Sequence, residues 1–188
     1  MATRDWTIED NIMKYYSGIG SRETPHMIVQ DMYTIAMVLA SKGYTLRSGG
    51  AVGADSAFEL GCVQRNGLKE IFLPWEHFND SKSTLFPPSE EAKKLARTIH
   101  PVYDKLSNKA KLLIARNMHQ ILGQDLQTPV DFVLCWTDDG AETSKQYSIN
   151  TGGTGTAISL ASQHNIPVYN LSNGSSYGYV INVLLQNI

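Results

Sequence analysis

Glycine, serine and threonine crowd three places in this chain, and each place has the composition of a backbone-built anion site. The densest is Ser48-Gly49-Gly50-Ala51-Val52-Gly53-Ala54-Asp55. The others are Gly18-Ile19-Gly20-Ser21-Arg22 and Thr151-Gly152-Gly153-Thr154-Gly155-Thr156. No large side chain keeps a ligand away from such main chain. Where the stretch opens a helix, the unbonded N–H groups of the first turn and the helix dipole favour an anion. Ser21, Ser48, Thr154 and Thr156 add hydroxyl groups. Arg22 and Arg116 can offset phosphate charge, and Trp75 or Trp136 can stack on a base. The chemistry is that of holding a nucleotide-like molecule. Any one junction is explained as well by a tight turn; three in one chain favour binding.

The elements that position these junctions are read from apolar periodicity and turn residues. Residues 1–14 are polar, with Trp6 and Ile8 as anchors of a short helix. Strands are expected at 15–19, 44–47, 69–73, 130–136 and 167–171, each built of apolar and β-branched residues. A helix opens at Thr24-Pro25, with Thr24 as N-cap and Pro25 at the first helical position, and closes at Gly43. Further helices are expected from Asp55 to about residue 66, at 90–98 after Ser89, at 108–122 after Ser107, at 156–163 and at 179–185. Strand 130–136 is the most apolar and is expected at the centre of the sheet. Residues 75–88 form a long polar loop, of the kind that is functional or mobile. Strand and helix alternate, so the expected fold is α/β and Rossmann-like. It has a mostly parallel sheet of about five or more strands, with helices on both faces, as one domain over 1–188. The junctions then gather at the carboxyl edge of the sheet.

Bulk composition sets limits. The chain has 188 residues, 42% of them hydrophobic, which suffices for one packed core. A net charge of −2, from 16 basic and 18 acidic residues, is unlike a strongly basic nucleic-acid binder. The densest basic cluster, Lys93-Lys94-x-x-Arg97, reads as the wet face of a helix. Cys62 and Cys135 lie in no paired motif and suit buried thiols in a reducing compartment. The first residues lack an apolar signal core, and no apolar run reaches membrane-spanning length. A cytoplasmic location follows as the expectation. The five histidines show no metal-ligand spacing.

Gly20-Ser21-Arg22, the Ser48–Asp55 stretch, Pro74-x-x-His77, Arg116-Asn117-x-x-Gln120 and Gly152-Gly-Thr-Gly-Thr-Ala157 together resemble the SLOG superfamily. That group holds DprA-type DNA-processing proteins, LOG-type cytokinin-activating hydrolases and small YspA-like proteins of phage and defence contexts. The resemblance covers about residues 15–171 and looks closest to the small phage type. It implies a Rossmann-like sheet with a nucleotide-derived ligand at the glycine edge, and pockets completed by a neighbouring copy, hence a homo-oligomer.

Three activities are compatible with it. LOG-type hydrolases carry a glutamate shortly after Gly-Gly-x-Gly-Thr, and here Ala157-Ile158-Ser159-Leu160 follows instead. Oxocarbenium chemistry needs a placed carboxylate. Asp55 and Glu59 are the nearest, and Asp55 reads better as a clamp on its own loop. DprA-like single-strand DNA binding needs a basic track with stacking aromatics, which the scattered charges do not supply. The favoured reading is therefore non-catalytic binding and sequestration of a nucleotide-derived signal, of ADP-ribose or cyclic-nucleotide type, as in a phage anti-defence sponge. The expected ligand residues are Gly18, Gly20, Ser21, Arg22, Ser48, Gly49, Gly50, Ala51, Gly53, Asp55, Trp75, Arg116, Asn117, Trp136, Gly152, Gly153, Thr154, Gly155 and Thr156. Neither a catalytic residue, a metal nor a cofactor is expected.

Overall fold

Five short strands pair entirely in parallel: β1 (Lys14–Gly18), β2 (Tyr44–Ser48), β3 (Lys69–Ile71), β4 (Phe132–Cys135) and β5 (Val168–Asn170). They come from a computed structural model that describes residues 13–188, so the expected helix around Trp6 and Ile8 lies outside the described residues. The order across the sheet is β3-β2-β1-β4-β5. The sheet is thus the expected α/β, Rossmann-like one, and wholly rather than mostly parallel. β1, not the more apolar β4, is the middle strand; β4 is interior, with β1 and β5 on its flanks. Burial on two faces makes a strand apolar, and that condition is met by any interior strand.

Each face has its own core. Tyr16, Leu46, Phe132 and Leu134 point to one side, where they pack with Met32, Ile35 and Leu39 of α1 (His26–Ser41) and Phe58 of α2 (Ala54–Gln64). Val133 and Cys135 point to the other side. There they meet Ala92 and Ala96 of α3 (Glu90–Ile99), Met118 and Ile121 of α4 (Asn108–Leu122), and Ile158 of α5 (Gly155–Gln163). A short C-terminal helical run, α6 (Gly174–Tyr179), a π-helical turn (Val180–Leu184) and α7 (Leu185–Asn187), returns to the α1 face through Val180 and Leu184.

The helix faces follow from chirality. The chain grows outward from β1 to β3 with α1 and α2 on one face. It then recrosses over α3 and α4 and grows the other way, from β4 to β5, with α5 on the opposite face. Right-handed crossovers require this change of face. The reversal falls between β1 and β4, the position where open parallel sheets leave a crevice beyond their carboxyl ends.

Local details depart from expectation for local reasons. α1 begins at His26, one residue after Pro25, and Thr24 does not cap it. The Thr24 hydroxyl instead donates to the Ser21 carbonyl at 2.7 Å, which tightens the first junction. The 75–88 loop is pinned: Asn79 Nδ2 donates to the Gly50 carbonyl at 2.9 Å and Ser83 Oγ to the Ile71 carbonyl at 2.6 Å. His119 is buried and joins α3 to α4. Its Nδ1 faces the Gly123 carbonyl at 2.9 Å, while Nε2 accepts the Ser89 N–H at 3.1 Å, which fixes the Nδ1–H tautomer. Among the described residues, no helix is long and apolar enough to cross a membrane.

Candidate functional site

A cavity of about 370 Å³ occupies the crevice at the sheet reversal. Its walls come from four places in the sequence. Gly20, Ser21, Arg22 and Glu23 follow β1; Ala51 and Asp55 belong to the second junction; Arg116, Asn117 and Gln120 lie on α4; and residues 150–154 lead into α5. Leu113 and Ile114 add an apolar wall.

The polar wall is a continuous network. Asp55 is 2% exposed, and its Oδ2 accepts from Arg116 Nη1 at 3.3 Å and from the Ala51 N–H at 3.4 Å. Burial pushes the Asp55 carboxyl up, and the Arg116 charge beside it pulls it back only in part. Burial also lowers Arg116, against the pull of Asp55; a guanidinium starts so high that it stays a cation. Gln120 satisfies its surroundings when its amide oxygen faces the Gly49 N–H and Arg116 Nη1, both at 2.9 Å, and its nitrogen faces Asn117 Oδ1 at 2.9 Å. Asn117 Nδ2 in turn donates to the Gly153 carbonyl at 2.9 Å. One helix face therefore grips the second and third junctions together.

The network explains the glycines of the second junction. A Cβ on Gly49 would coincide with the Arg116 guanidinium, so this glycine makes room for the arginine. Gly53, at φ +87°, lets the loop approach the first junction: a Cβ there would lie 2.7 Å from the Ser21 carbonyl oxygen. Ser48 is fully buried and donates from Oγ to the Gly18 carbonyl at 2.6 Å. Gly50 lies under the pinned 75–88 loop.

The cavity thus gathers Gly20, Ser21, Arg22, Ala51, Asp55, Arg116, Asn117, Gly152, Gly153 and Thr154 from the expected set. Gly18, Ser48, Gly49, Gly50, Gly53, Gly155 and Thr156 stand behind it. Gly18 gives space to Phe58, whose ring would be 2.5 Å from a Cβ there, and a Cβ on Gly155 would collide with Tyr147. Trp136 is buried in the α1-side core, and only its main chain approaches the site, accepting the Ser21 N–H at 3.1 Å. Trp75 is half-buried, edge-on to Phe78 at 5.1 Å and away from the cavity. Neither indole offers a stacking face to it.

Glu23, Leu113 and Ile114 line the cavity without having been expected there, and two polar contributors matter more. Gln120 was legible as part of a motif but not as a wall residue. Asp139 was not singled out at all. It accepts from the hydroxyls of Thr137 at 2.8 Å, Ser148 at 2.7 Å and Thr151 at 2.5 Å, and so ties down the segment that forms the third junction. Burial works to raise this carboxyl, but hydrogen bonds from Thr151, Ser148, Thr137 and the Ala141 N–H outweigh it and hold it below its ordinary value. A lowered carboxyl stabilises the fold fully above its unfolded value of 3.8, and that contribution is lost as pH falls through the lower folded value. Asp139→Asn is expected to cost about 1–2 kcal/mol at neutral pH, discounted for a carboxylate partly in water. In urea titrations its deficit relative to the parent should shrink below about pH 3.8.

The two helix N-termini near the cavity differ. α2 carries Asp55 in its first turn, so its positive end already faces a carboxylate. α5 has no acidic residue in its first turn and no side-chain cap on Thr154. Arg22 is exposed at the rim, and among the described residues no carboxylate lies within ion-pair distance of it. Arg116 Nε is buried and finds no hydrogen-bond partner among the described residues.

No protein-family model and no curated protein matches the sequence. Among solved structures, the chain is similar to DNA processing protein A (DprA) from Streptococcus pneumoniae, with a TM-score of 0.50 and 19% identity over 93% of this chain and 56% of that one. DNA processing protein A from Helicobacter pylori, described for its single-stranded DNA binding mode, is matched at a TM-score of 0.41 and 15% identity, over 94% of this chain and 82% of that one. The chain spans little more than half the length of the Streptococcus protein. The likeness to that protein is one of fold: a parallel, Rossmann-like α/β sheet of the DprA kind.

Proposed function

We propose that this chain binds a nucleotide-derived small molecule in the crevice beyond β1 and β4 and does not transform it. One observation carries the reading. The acid-free N-terminus of α5, the rim Arg22 and the buried Arg116 converge on one cavity of about 370 Å³. That is the size of a small-molecule site, and its donors suit a phosphorylated sugar. Asp55 argues for binding rather than cleavage. Its Oδ2 is engaged by Arg116 and by the main chain of its own loop, so it acts as a clamp.

The ligand class favoured by the SLOG resemblance is an ADP-ribose or cyclic-nucleotide signal. A non-catalytic binder of such a signal suits sequestration in a host cytosol, as by a phage anti-defence sponge working as a homo-oligomer. Calorimetry against ADP-ribose derivatives and cyclic dinucleotides tests the reading, with mass spectrometry of ligand released by heat. Stoichiometric uptake and return of the intact molecule is the expected result. Recovery of a free base and a sugar phosphate would move the chain to the hydrolases.

Single-strand DNA binding is the second reading, supported by the DprA-like fold. Against it, Lys93 and Arg97 of the one dense basic cluster pair with Glu90 at 2.6 Å and Asp104 at 3.0 Å. A mobility shift on single strands that is strong and falls steeply with salt would make it the leading reading.

A further inference from the structure

A second cavity of about 410 Å³ adjoins the first, and Gly152 and Gly153 line both. Its other walls are His100, Pro101, Val102, Tyr147, Ser148 and Ile149. The two cavities differ in chemistry. The first holds Arg22, Glu23, Asp55 and Arg116. Among the described residues, no acidic residue, lysine or arginine lines the second, and its walls are mostly rings and aliphatic chains. Ile149 is 94% exposed at its edge and Val102 is 48% exposed. The His100 and Tyr147 rings stand edge to face with centroids 6.5 Å apart, and Tyr147 rests against the start of α5 in the space that Gly155 leaves.

The boundary between the cavities carries no side chain. A Cβ on Gly152 would meet nothing within 4 Å, and one on Gly153 only Ile114 Cδ1 at 4.0 Å. Packing demands glycine at neither position; the backbone demands it at Gly152, which turns at φ +62°, and not at Gly153. The ridge is left bare where a ligand would cross from a charged chamber to an apolar one.

We propose that the second cavity is the base subsite of the same ligand: the phosphate and ribose lie in the first cavity, the chain of the ligand crosses Gly152–Gly153, and the base sits among Val102, Tyr147 and Ile149. The proposal rests on the nucleotide-binding reading above. A nucleotide has the required two-part character, a charged sugar phosphate joined to a flat, weakly polar ring. The subsite also supplies what Trp75 and Trp136 do not, an aromatic and aliphatic surface next to the phosphate donors.

The experiment compares ribose 5-phosphate with AMP by calorimetry, on the parent chain and on a variant carrying Val102→Ser and Ile149→Ser. Both positions are exposed, so the fold is expected to survive the change. AMP should bind the parent roughly tenfold or more tightly than ribose 5-phosphate, a difference the variant should erase without weakening ribose 5-phosphate. In parallel, Tyr147 ring and Ile149 methyl resonances should move with AMP and stay still with ribose 5-phosphate. An AMP advantage that is absent in the parent, or that survives in the variant with those resonances unmoved, overturns the base subsite while leaving the phosphate site standing. Failure of both probes to bind the parent overturns the nucleotide-binding reading and the subsite with it.

Discussion

Arg116→Ala is expected to destabilise the protein by about 3–5 kcal/mol, because it strands a buried carboxylate. Asp55 is 2% exposed, and Arg116 is its charge partner at 3.3 Å. The loss also removes the donation from Arg116 Nη1 to the Gln120 amide oxygen and empties the space that Gly49 keeps clear. Urea denaturation at neutral pH measures the effect. A second variant separates the charge from the packing. Arg116→Met combined with Asp55→Leu removes both charges and keeps most of the volume, so it should recover the larger part of the loss. If the double variant is as unstable as the single one, the ion pair is not what Arg116 contributes to stability. Both variants should lose ligand uptake, since each removes the buried cation.

Gly153→Glu is expected to abolish uptake and spare the fold. A Cβ at this position has only Ile114 Cδ1 near it, at 4.0 Å, and the backbone there is not in the left-handed region. The new side chain would fill the ridge between the two cavities and set a negative charge before the N-terminus of α5, where an anion is expected. Affinity should fall roughly 100-fold or more, while the urea midpoint should move by no more than about 0.5 kcal/mol in stability terms. Unchanged affinity would remove the third junction from the site.

The order of strands and helices was legible because period and punctuation agree along this chain. Gly43 and Gly123 follow the ends of α1 and α4, Ser89 and Ser107 cap α3 and α4, and Met32, Ile35, Ala36 and Leu39, at helical spacing, are the buried residues of α1; β3 ends at Ile71, before Pro74 is reached. The pairing order was not legible. It depends on which interior strand meets which, and β1 and β4 are both buried on two faces. The site was half legible for a related reason. Glycine composition marks where backbone comes close to something, but not to what. At Gly153 that something is open space, and at Gly152 a turn at φ +62°; at Gly49 it is Arg116, far away in sequence and near only once α4 has crossed the sheet. Arg116, Asn117 and Gln120 lie off the apolar stripe of α4, and a polar helix face ordinarily means water. Here it is buried, and the network of amides and the guanidinium takes the place of solvent. Asp139 carried no signal because its partners, Ser148 and Thr151, are ordinary loop residues until the loop closes on them.

The central place of β1 has a consequence for how the molecule assembles. Its pairing with β2 spans little more than α1, whereas on its other side Tyr15 bonds to Asp131, 116 residues away. Contacts close in sequence cost less entropy to form, so the β1–β3 half should assemble first and β4–β5 dock later. The crevice is the seam between those halves, and it exists only after they join. A ligand held there would bridge the last step of folding and the first of unfolding. It should lengthen the lifetime of the native state more than it speeds its formation.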